Sequence, residues 1–463
     1  MPLTFKNRTP SLQEDAPVQE TFSVKSRQKA VVVQSGARDA YQLALALSEA
    51  GLLEALVTDL FWPSDRPWAR HVSEALPAGL RRLLQQRSEL RLPWSQVQLC
   101  AFSGLWTMLL EKMPRVPHSF RRATMRATDR TLGRTAGRLA MRTGASVVSY
   151  SYYGFDAFRQ CSRPGMLFQL HPHPASMRRI LTEELEAHPD CAESLRQEWE
   201  LSLPEEDFTR LVEETKMASR FLVASSFTRQ TLVEHGTPLR AVSVVPYGVD
   251  CTRFKPNPQR RQTNAGGKLR LLFVGRINQR KGIKYLLEAL QMLGTESVHL
   301  TVCGRVLDSL KLFRPFGTQV EIRPSVSATE LVEAYQAADL FVFPSVAEGF
   351  GQVLLESLAS GLPILSTTHT AAPDLIEHGV QGFVVEPRRP DQIAERIDWA
   401  LSHRAELAFM GEQARARAEE FTWQRFRKGV ASAVGSFLEE QQDRAPWSNS
   451  STSRRSNLSL IHI

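Results

Sequence analysis

The chain has 463 residues, 42% of them hydrophobic and 23% charged, with 57 Lys+Arg against 49 Asp+Glu for a formal net charge of +8. That composition excludes collagen-like, wholly disordered and disulfide-scaffold classes, and the length is ample for more than one buried core. The positive excess points to an anionic partner (nucleic acid, an acidic membrane surface or a phosphorylated substrate), and the placement of the charges separates them.

Residues 1–27 are polar and patternless, which predicts disorder, and they lack the apolar core of a signal peptide. Ala30–Gln34 is a short apolar run that stops at Ser35-Gly36. A helix carrying Tyr41, Leu43, Leu45 and Leu47 follows, with Gly51 suited to end it. Further buried strands are predicted at 146–150, 166–170 and 220–224. The stretch Leu99–Leu110 is apolar but too short to cross a bilayer. In the second half, Leu269–Val274 leads through Gly275 into a helix over Ile283–Leu293, and a strand is expected at 298–303. Leu340–Phe343 leads into a helix over Gly351–Ser360, which Gly361-Leu362-Pro363 ends before a strand at 363–366. The five cysteines, Cys100, Cys161, Cys191, Cys251 and Cys303, are isolated and read as reduced thiols rather than a metal site.

Strands alternating with helices predict an α/β protein, and the number of strands predicts two doubly wound parallel sheets. The expected division is an N-terminal domain at 28–240 with a basic insertion at 66–142, and a C-terminal domain at 241–420. A crossing helix at 421–440 and a disordered tail at 441–463 complete it. Ligands of such sheets bind beyond the carboxyl ends of the strands, so the loops after Gln34, Leu170, Val274, Cys303 and Phe343 are the candidates.

The loop after Phe343 runs Pro344-Ser345-Val346-Ala347-Glu348-Gly349-Phe350-Gly351, with Glu356 inside the following helix. Gly349 and Gly351 let backbone N–H groups approach an anion at a helix start. The Glu356 carboxylate is able to accept paired hydrogen bonds from a diol such as ribose. The loop after Val274 places Arg276 and Lys281 at another helix start. Cations are disfavoured there unless an anion such as a diphosphate offsets them; solvated basic residues in a turn are the plainer alternative.

Together these segments resemble the retaining glycosyltransferases of family 4, which have the GT-B fold of two facing Rossmann-like domains around a cleft. The resemblance rests on Val244-Val245-Pro246-Tyr247-Gly248-Val249-Asp250, Phe273-Val274-Gly275-Arg276, Lys281-Gly282, Ala338-Asp339, Pro344-Ser345, the Glu348/Glu356 pair, Ala359-Ser360-Gly361-Leu362-Pro363, Gly379-Val380-Gln381-Gly382-Phe383 and Phe421-Thr422-Trp423. It implies transfer of a sugar from a nucleotide-sugar donor with retention of configuration. By that likeness Arg276 and Lys281 hold the donor diphosphate. Glu348 with Gly349, Phe350 and Gly351 faces the sugar and phosphate, and Glu356 takes the ribose. Ile322-Arg323-Pro324 lines the base through its main chain. His171, in Phe168-Gln169-Leu170-His171-Pro172-His173-Pro174, is the expected histidine near the reacting sugar. Gln34-Ser35-Gly36 stands where the family has a glycine-rich first loop, so Gly36 joins the donor-binding set. Ala224-Ser225-Ser226-Phe227-Thr228 is also family-like and is expected to be structural. Thr370-Ala371-Ala372-Pro373-Asp374 departs from the family, many members of which carry a Gly-Gly pair there. The chain has no D-x-D triplet, so no metal and no resident cofactor are expected.

Charge is unevenly distributed. Residues 66–142 hold 15 basic and 4 acidic residues (+11), and residues 183–214 hold 12 acidic and 2 basic (−10). The basic segment is interleaved with Trp68, Trp94, Phe102, Leu105, Trp106, Leu109 and Leu110. It either meets an anionic membrane carrying a lipid-linked acceptor, or packs inward and pairs with the acidic segment. The expected setting is cytoplasmic, with peripheral contact at the inner face of the membrane, and no nucleic-acid motif is present. A sugar or small-molecule acceptor is equally compatible. The alternatives are a GT-B relative such as a nucleotide-sugar epimerase or phosphorylase, and a non-catalytic nucleotide-sugar-binding protein.

Overall fold

The computed structural model describes residues 28–100, 118–257, 259, 267–294 and 296–444. Of the predicted disordered ends, residues 1–27 and 445–463 lie outside the described residues, as do Phe102, Leu105, Trp106, Leu109 and Leu110 of the basic segment.

Thirteen strands form two parallel sheets among these residues. The first has seven: β1 (Ala30–Val33), β2 (Leu53–Thr58), β3 (Val97–Leu99), β4 (Ser146–Tyr150), β5 (Gly165–Gln169), β6 (Ala218–Val223) and β7 (Val242–Val244), in the order β3-β2-β1-β4-β5-β6-β7. The second has six: β8 (Leu269–Val274), β9 (Val298–Cys303), β10 (Val320–Arg323), β11 (Leu340–Phe343), β12 (Ile364–Thr367) and β13 (Gly382–Val385), in the order β10-β9-β8-β11-β12-β13. Strands β1, β4, β5, β11 and β12 are buried at every position. That is the burial expected of parallel strands covered by helices on both faces, and it is why they read as unbroken apolar runs. The two-sheet α/β architecture matches the expectation.

Three details differ. The domain boundary falls after Val244, not at 240, because Val242–Val244 pairs with β6 (Phe221 with Val242, Val223 with Val244) as the last strand of the first sheet. Residues 66–142 are not wholly an insertion. They contain the edge strand β3, which pairs with β2, and helix His118–Thr143, which leads into β4. Gly133 and Gly137, one turn apart on that helix, sit against the backbone of Tyr153 and Ala157, where a Cβ would collide. The close approach seats the helix on its neighbour, Gly154–Gln160. A three-residue, half-buried edge strand leaves no periodicity to read in the sequence.

The crossing helix runs Trp423–Arg444, four residues past its expected end at 440. Its Phe426, Val430, Val434, Phe437 and Leu438 join the core of the first domain, beside Leu43, Ala46 and Leu47. Arg427 fixes its rotation through Glu49 (2.8 Å) and Gln42 (2.8 Å). In the other direction, Met177, Ile180 and Leu181 of helix Pro174–Ala187, with Leu195, pack into the core of the second domain. Each domain is thus completed by chain from the other. No helix of the described residues is long and apolar enough to cross a membrane.

Candidate active site

In each sheet the strand order reverses once, between β1 and β4 and between β8 and β11. At the second of these switch points the loops after β8 and β11 are joined to each other, and the loop after β11 rests on the end of β5 in the first domain.

From the second domain come the turn after β8 and the loop after β11. They are sewn together by main-chain and hydroxyl bonds: Val346 N–H donates to the Arg280 carbonyl (2.9 Å) and Ser345 Oγ to the same oxygen (3.1 Å). This brings Lys281 into an ion pair with Glu348. Arg280, next to it and only 4% exposed, bridges Glu348 (3.4 Å), the Ala347 carbonyl (3.1 Å) and Glu198 of the first domain (3.1 Å). Arg276 is half exposed and lies 3.7 Å from Glu198. Burial, then the Arg280 and Arg276 guanidiniums, hold the Lys281 ammonium well below the ordinary lysine range, so the cluster favours added negative charge.

Helix Gln352–Ala359 begins beside these groups. Its N-cap is Gly351, in the left-handed region (φ 86°), and no side chain caps it, so its first N–H groups are open to an anion. One turn in, Glu356 accepts a hydrogen bond from the buried Tyr335 hydroxyl (3.0 Å). Burial raises its carboxyl above the usual range, against the pull of Tyr335 and Arg253. Phe350 is turned away from this opening: its buried ring packs edge-on against Tyr247 (centroids 5.1 Å apart), so the backbone is what it can offer a ligand.

The first domain supplies His171. Its imidazole is held at about 3 by burial and by the nearby cations Arg280, Arg38, Lys281 and Arg276, and is therefore neutral at ordinary pH. His173 has a different task. Its Nδ1 caps helix Pro174–Ala187 by accepting from Ala175 N–H (3.2 Å), and its ring stacks on His235 (3.9 Å). Behind His171 a cavity is lined by Tyr152, Phe155, Trp199, Asp129, Arg126 and Glu214. The Tyr152 ring lies 6.5 Å from His171 and 6.2 Å from Trp199, linking the cavity to the site. Tyr152 has φ 88°, a strained backbone that the Glu214 carboxylate holds by accepting the N–H groups of Tyr152 (2.9 Å), Gly154 and Phe155 (3.2 Å). Burial raises both Glu214 and Asp129 to about 7.

Two expected residues stand apart from the cluster. Gly36 has its N–H occupied by the Asp59 carboxylate (2.8 Å) under the Arg87 side chain, so that amide is not free for a donor. Arg323 ends the edge strand β10; its guanidinium is exposed and bidentate to Glu321 (2.8 and 3.0 Å), and its carbonyl accepts from Gly304 N–H (2.9 Å).

Arg280 and Glu198 are site residues that the sequence did not single out. Arg280 adjoins Lys281 and looks like one more exposed turn cation. Glu198 is hidden in an acidic run. Ser225 and Thr228, expected to be structural, do more: besides starting helix Ser226–Glu234 they donate to the Gly349 carbonyl (2.6 and 3.2 Å), fastening the loop after β11 across the domains. Asp374 adds a bond from Ser226 N–H (2.7 Å).

Residues 255–417 match the family model described as glycosyl transferases group 1. The chain is 30% identical over 224 residues to a D-inositol 3-phosphate glycosyltransferase of Paenarthrobacter aurescens (strain TC1), covering 45% of this chain and 55% of that protein. It is 30% identical over 230 residues to a lipopolysaccharide 1,2-N-acetylglucosaminetransferase of Salmonella typhimurium, covering 44% and 59%. The chain thus spans little more than half the length of these curated relatives. Among solved structures it is similar to Anabaena HepE in complex with UDP-glucose, with a TM-score of 0.56 at 17% identity over 88% of this chain and 99% of that one. That likeness is one of fold, and it extends over both domains. The match to glycosyl transferases group 1 lies in the C-terminal domain, and the fold is the two-domain GT-B fold.

Proposed function

We propose that the chain transfers a glycosyl group from a nucleotide-sugar donor to an acceptor hydroxyl, with retention of configuration and without a metal ion. The observation that carries this reading is the convergence of Lys281, Arg280 and Arg276 with the uncapped start of helix Gln352–Ala359. Such a cluster suits a diphosphate, and its cations supply the charge that a divalent ion supplies elsewhere. In the reaction the bond from the sugar C1 to the diphosphate oxygen breaks, and its electron pair leaves with the diphosphate. The acceptor oxygen forms the new bond to C1, and its proton passes to the leaving phosphate. Arg276 and Lys281 stabilise the charge that grows on the leaving group. Glu348 and the Gly349–Gly351 backbone face the sugar, and Glu356 takes the ribose hydroxyls. His171, being neutral, serves as a hydrogen-bonding partner of the sugar and not as a cation. The UDP-glucose bound by the HepE relative in fold, and the names of the curated relatives, support a nucleotide-sugar donor.

The acceptor enters from the first domain, and an anionic membrane surface is where we place a lipid-linked one in glycan or glycolipid synthesis. Part of the basic segment does pair inward: Arg126 with Asp207, Arg130 with Glu206 (3.7 Å), and Arg122 with the Ser202 carbonyl. That pairing narrows the candidate surface to the short helices Pro67–Ala75 and Ala78–Gln85. There Trp68, Val72 and Leu80, spaced in multiples of four, are 56%, 44% and 42% exposed among Arg66, Arg70 and Arg82.

A screen of nucleotide sugars by thermal stabilisation and slow donor hydrolysis tests the activity. One nucleotide sugar should both raise the melting temperature and be hydrolysed, with the hydrolysis unaffected by a chelator. A chain that hydrolyses none, or only with added magnesium or manganese, contradicts the reading.

A further inference from the structure

Glu198 belongs to the first domain, yet its carboxylate lies among the cations of the second. It is the N-cap of the short helix Trp199–Ser202, whose turn is pinned by Arg178 donating to the Glu200 carbonyl (3.0 Å). Its side chain is 6% exposed. One oxygen accepts from Asn278 Nδ2 (2.7 Å), and the other lies 3.1 Å from Arg280 and 3.7 Å from Arg276. Arg280 in turn holds the Ala347 carbonyl and the Glu348 carboxylate. A continuous chain of charged contacts therefore runs from the first domain, through Glu198 and Arg280, to the residue that faces the donor sugar.

Burying a guanidinium is costly unless it is paired. Arg280 has carboxylates on two sides, Glu198 and Glu348. Without the Glu198 carboxylate, Arg280 is left with Glu348 and Ala347 alone. It is then free to turn toward water and draw Glu348 with it.

We propose that Glu198 is a positioning residue: it fixes Arg280, and through Arg280 it sets the Glu348 carboxylate and the Lys281 ammonium for reaction. The inference rests on the glycosyltransferase reading. It assigns to a residue outside the loops after β8 and β11 the completion of their geometry. The same geometry separates affinity from turnover. Diphosphate capture depends on Arg276, Lys281 and the helix start, whereas the alignment of Glu348 needs Glu198 as well.

The test compares Glu198→Gln, Glu198→Asp and the wild-type full chain. Gln preserves size and can still accept from Asn278, so it removes the charge with little disturbance of packing. Calorimetric titration with UDP, GDP and ADP gives affinity, and hydrolysis of the matching nucleotide sugar gives turnover. Glu198→Gln should lower turnover at least about tenfold while diphosphate affinity changes less than about threefold, and Glu198→Asp should recover part of the loss. Turnover within about twofold of wild type, or an equal fall in affinity and turnover, overturns the proposal. Should Glu198→Gln fail to fold, Arg280→Lys carries the same test, because a lysine keeps the charge but is unable to bridge Ala347 and both carboxylates. Failure of the underlying reading looks different: the wild-type chain then binds none of the three diphosphates.

Discussion

Gly349 and Leu170 touch backbone to backbone across the two domains: a Cβ on Gly349 would overlap the Leu170 carbonyl oxygen and come within 3.1 Å of the His171 Cα. The absent side chain lets the loop after β11 lie on the end of β5, and it places His171 beside that loop. Ser225 and Thr228, both donating to the Gly349 carbonyl, hold it there.

Gly349→Ala should therefore act on closure and leave each domain's own core intact. The methyl group has backbone on its path, so the closed arrangement loses about 1–3 kcal/mol, the usual cost of overpacking. Small-angle scattering should show a larger radius of gyration for the variant, and turnover should fall with little change in melting temperature. A variant as compact and as active as wild type counts against the role given to this contact.

His171 leads to a prediction about pH. Burial and four cations lower its folded value to about 3 from an ordinary 6.5. It is thus neutral throughout pH 5–8, and its ionisation is absent from the activity profile. His171→Ala should lower turnover without moving either limb of the profile. Disappearance of a limb near pH 6–7 in the variant would contradict a neutral imidazole. The stability sign follows from the same shift. Below about 6.5 the unfolded chain takes up a proton that the folded chain refuses, so this contribution is present above 6.5 and lost as pH falls toward 3. His171→Asn should flatten that part of the acid decline in urea titrations.

Glu356 offers a test that separates recognition of the nucleoside from recognition of phosphate. If its carboxylate takes ribose hydroxyls, Glu356→Ala should weaken a nucleoside diphosphate by about tenfold, the worth of a hydrogen bond to a charged group, and leave inorganic pyrophosphate binding unchanged. Equal losses for both ligands would assign Glu356 to the integrity of the helix and its Tyr335 contact instead.

Much of the fold was legible because parallel strands buried on both faces are unbroken apolar runs. Leu269–Val274, Leu340–Phe343 and Ser146–Tyr150 occupy the residues expected of them. Val97–Leu99, three residues at one edge of the first sheet, carries too little pattern to be seen. The site divides in the same way. Glu348, Lys281 and His171 sit at strand ends and helix starts, where local rules reach them. Glu198 and Arg280 meet across 82 residues of sequence and two domains, and nothing local distinguishes either from its charged neighbours.

The stripe of Trp68, Val72 and Leu80 gives a prediction about partners. Wild-type chain should sediment with vesicles containing anionic phosphatidylglycerol at low salt and less so at high salt. Trp68→Ala with Arg82→Glu should reduce that binding severalfold while nucleotide-sugar hydrolysis is retained. Equal sedimentation of the variant and wild type would remove this face as the contact.

The central claim is that a donor diphosphate is held by the cations of the loop after β8. Calorimetric titration of UDP, GDP and ADP into wild-type chain and into the Arg276→Ala, Lys281→Ala double variant tests it directly. The account predicts that wild type binds at least one of the three and that the double variant loses at least about a hundredfold in affinity, each lost charge-assisted contact counting for about 1.5–3 kcal/mol. An unchanged affinity in a folded double variant would contradict it.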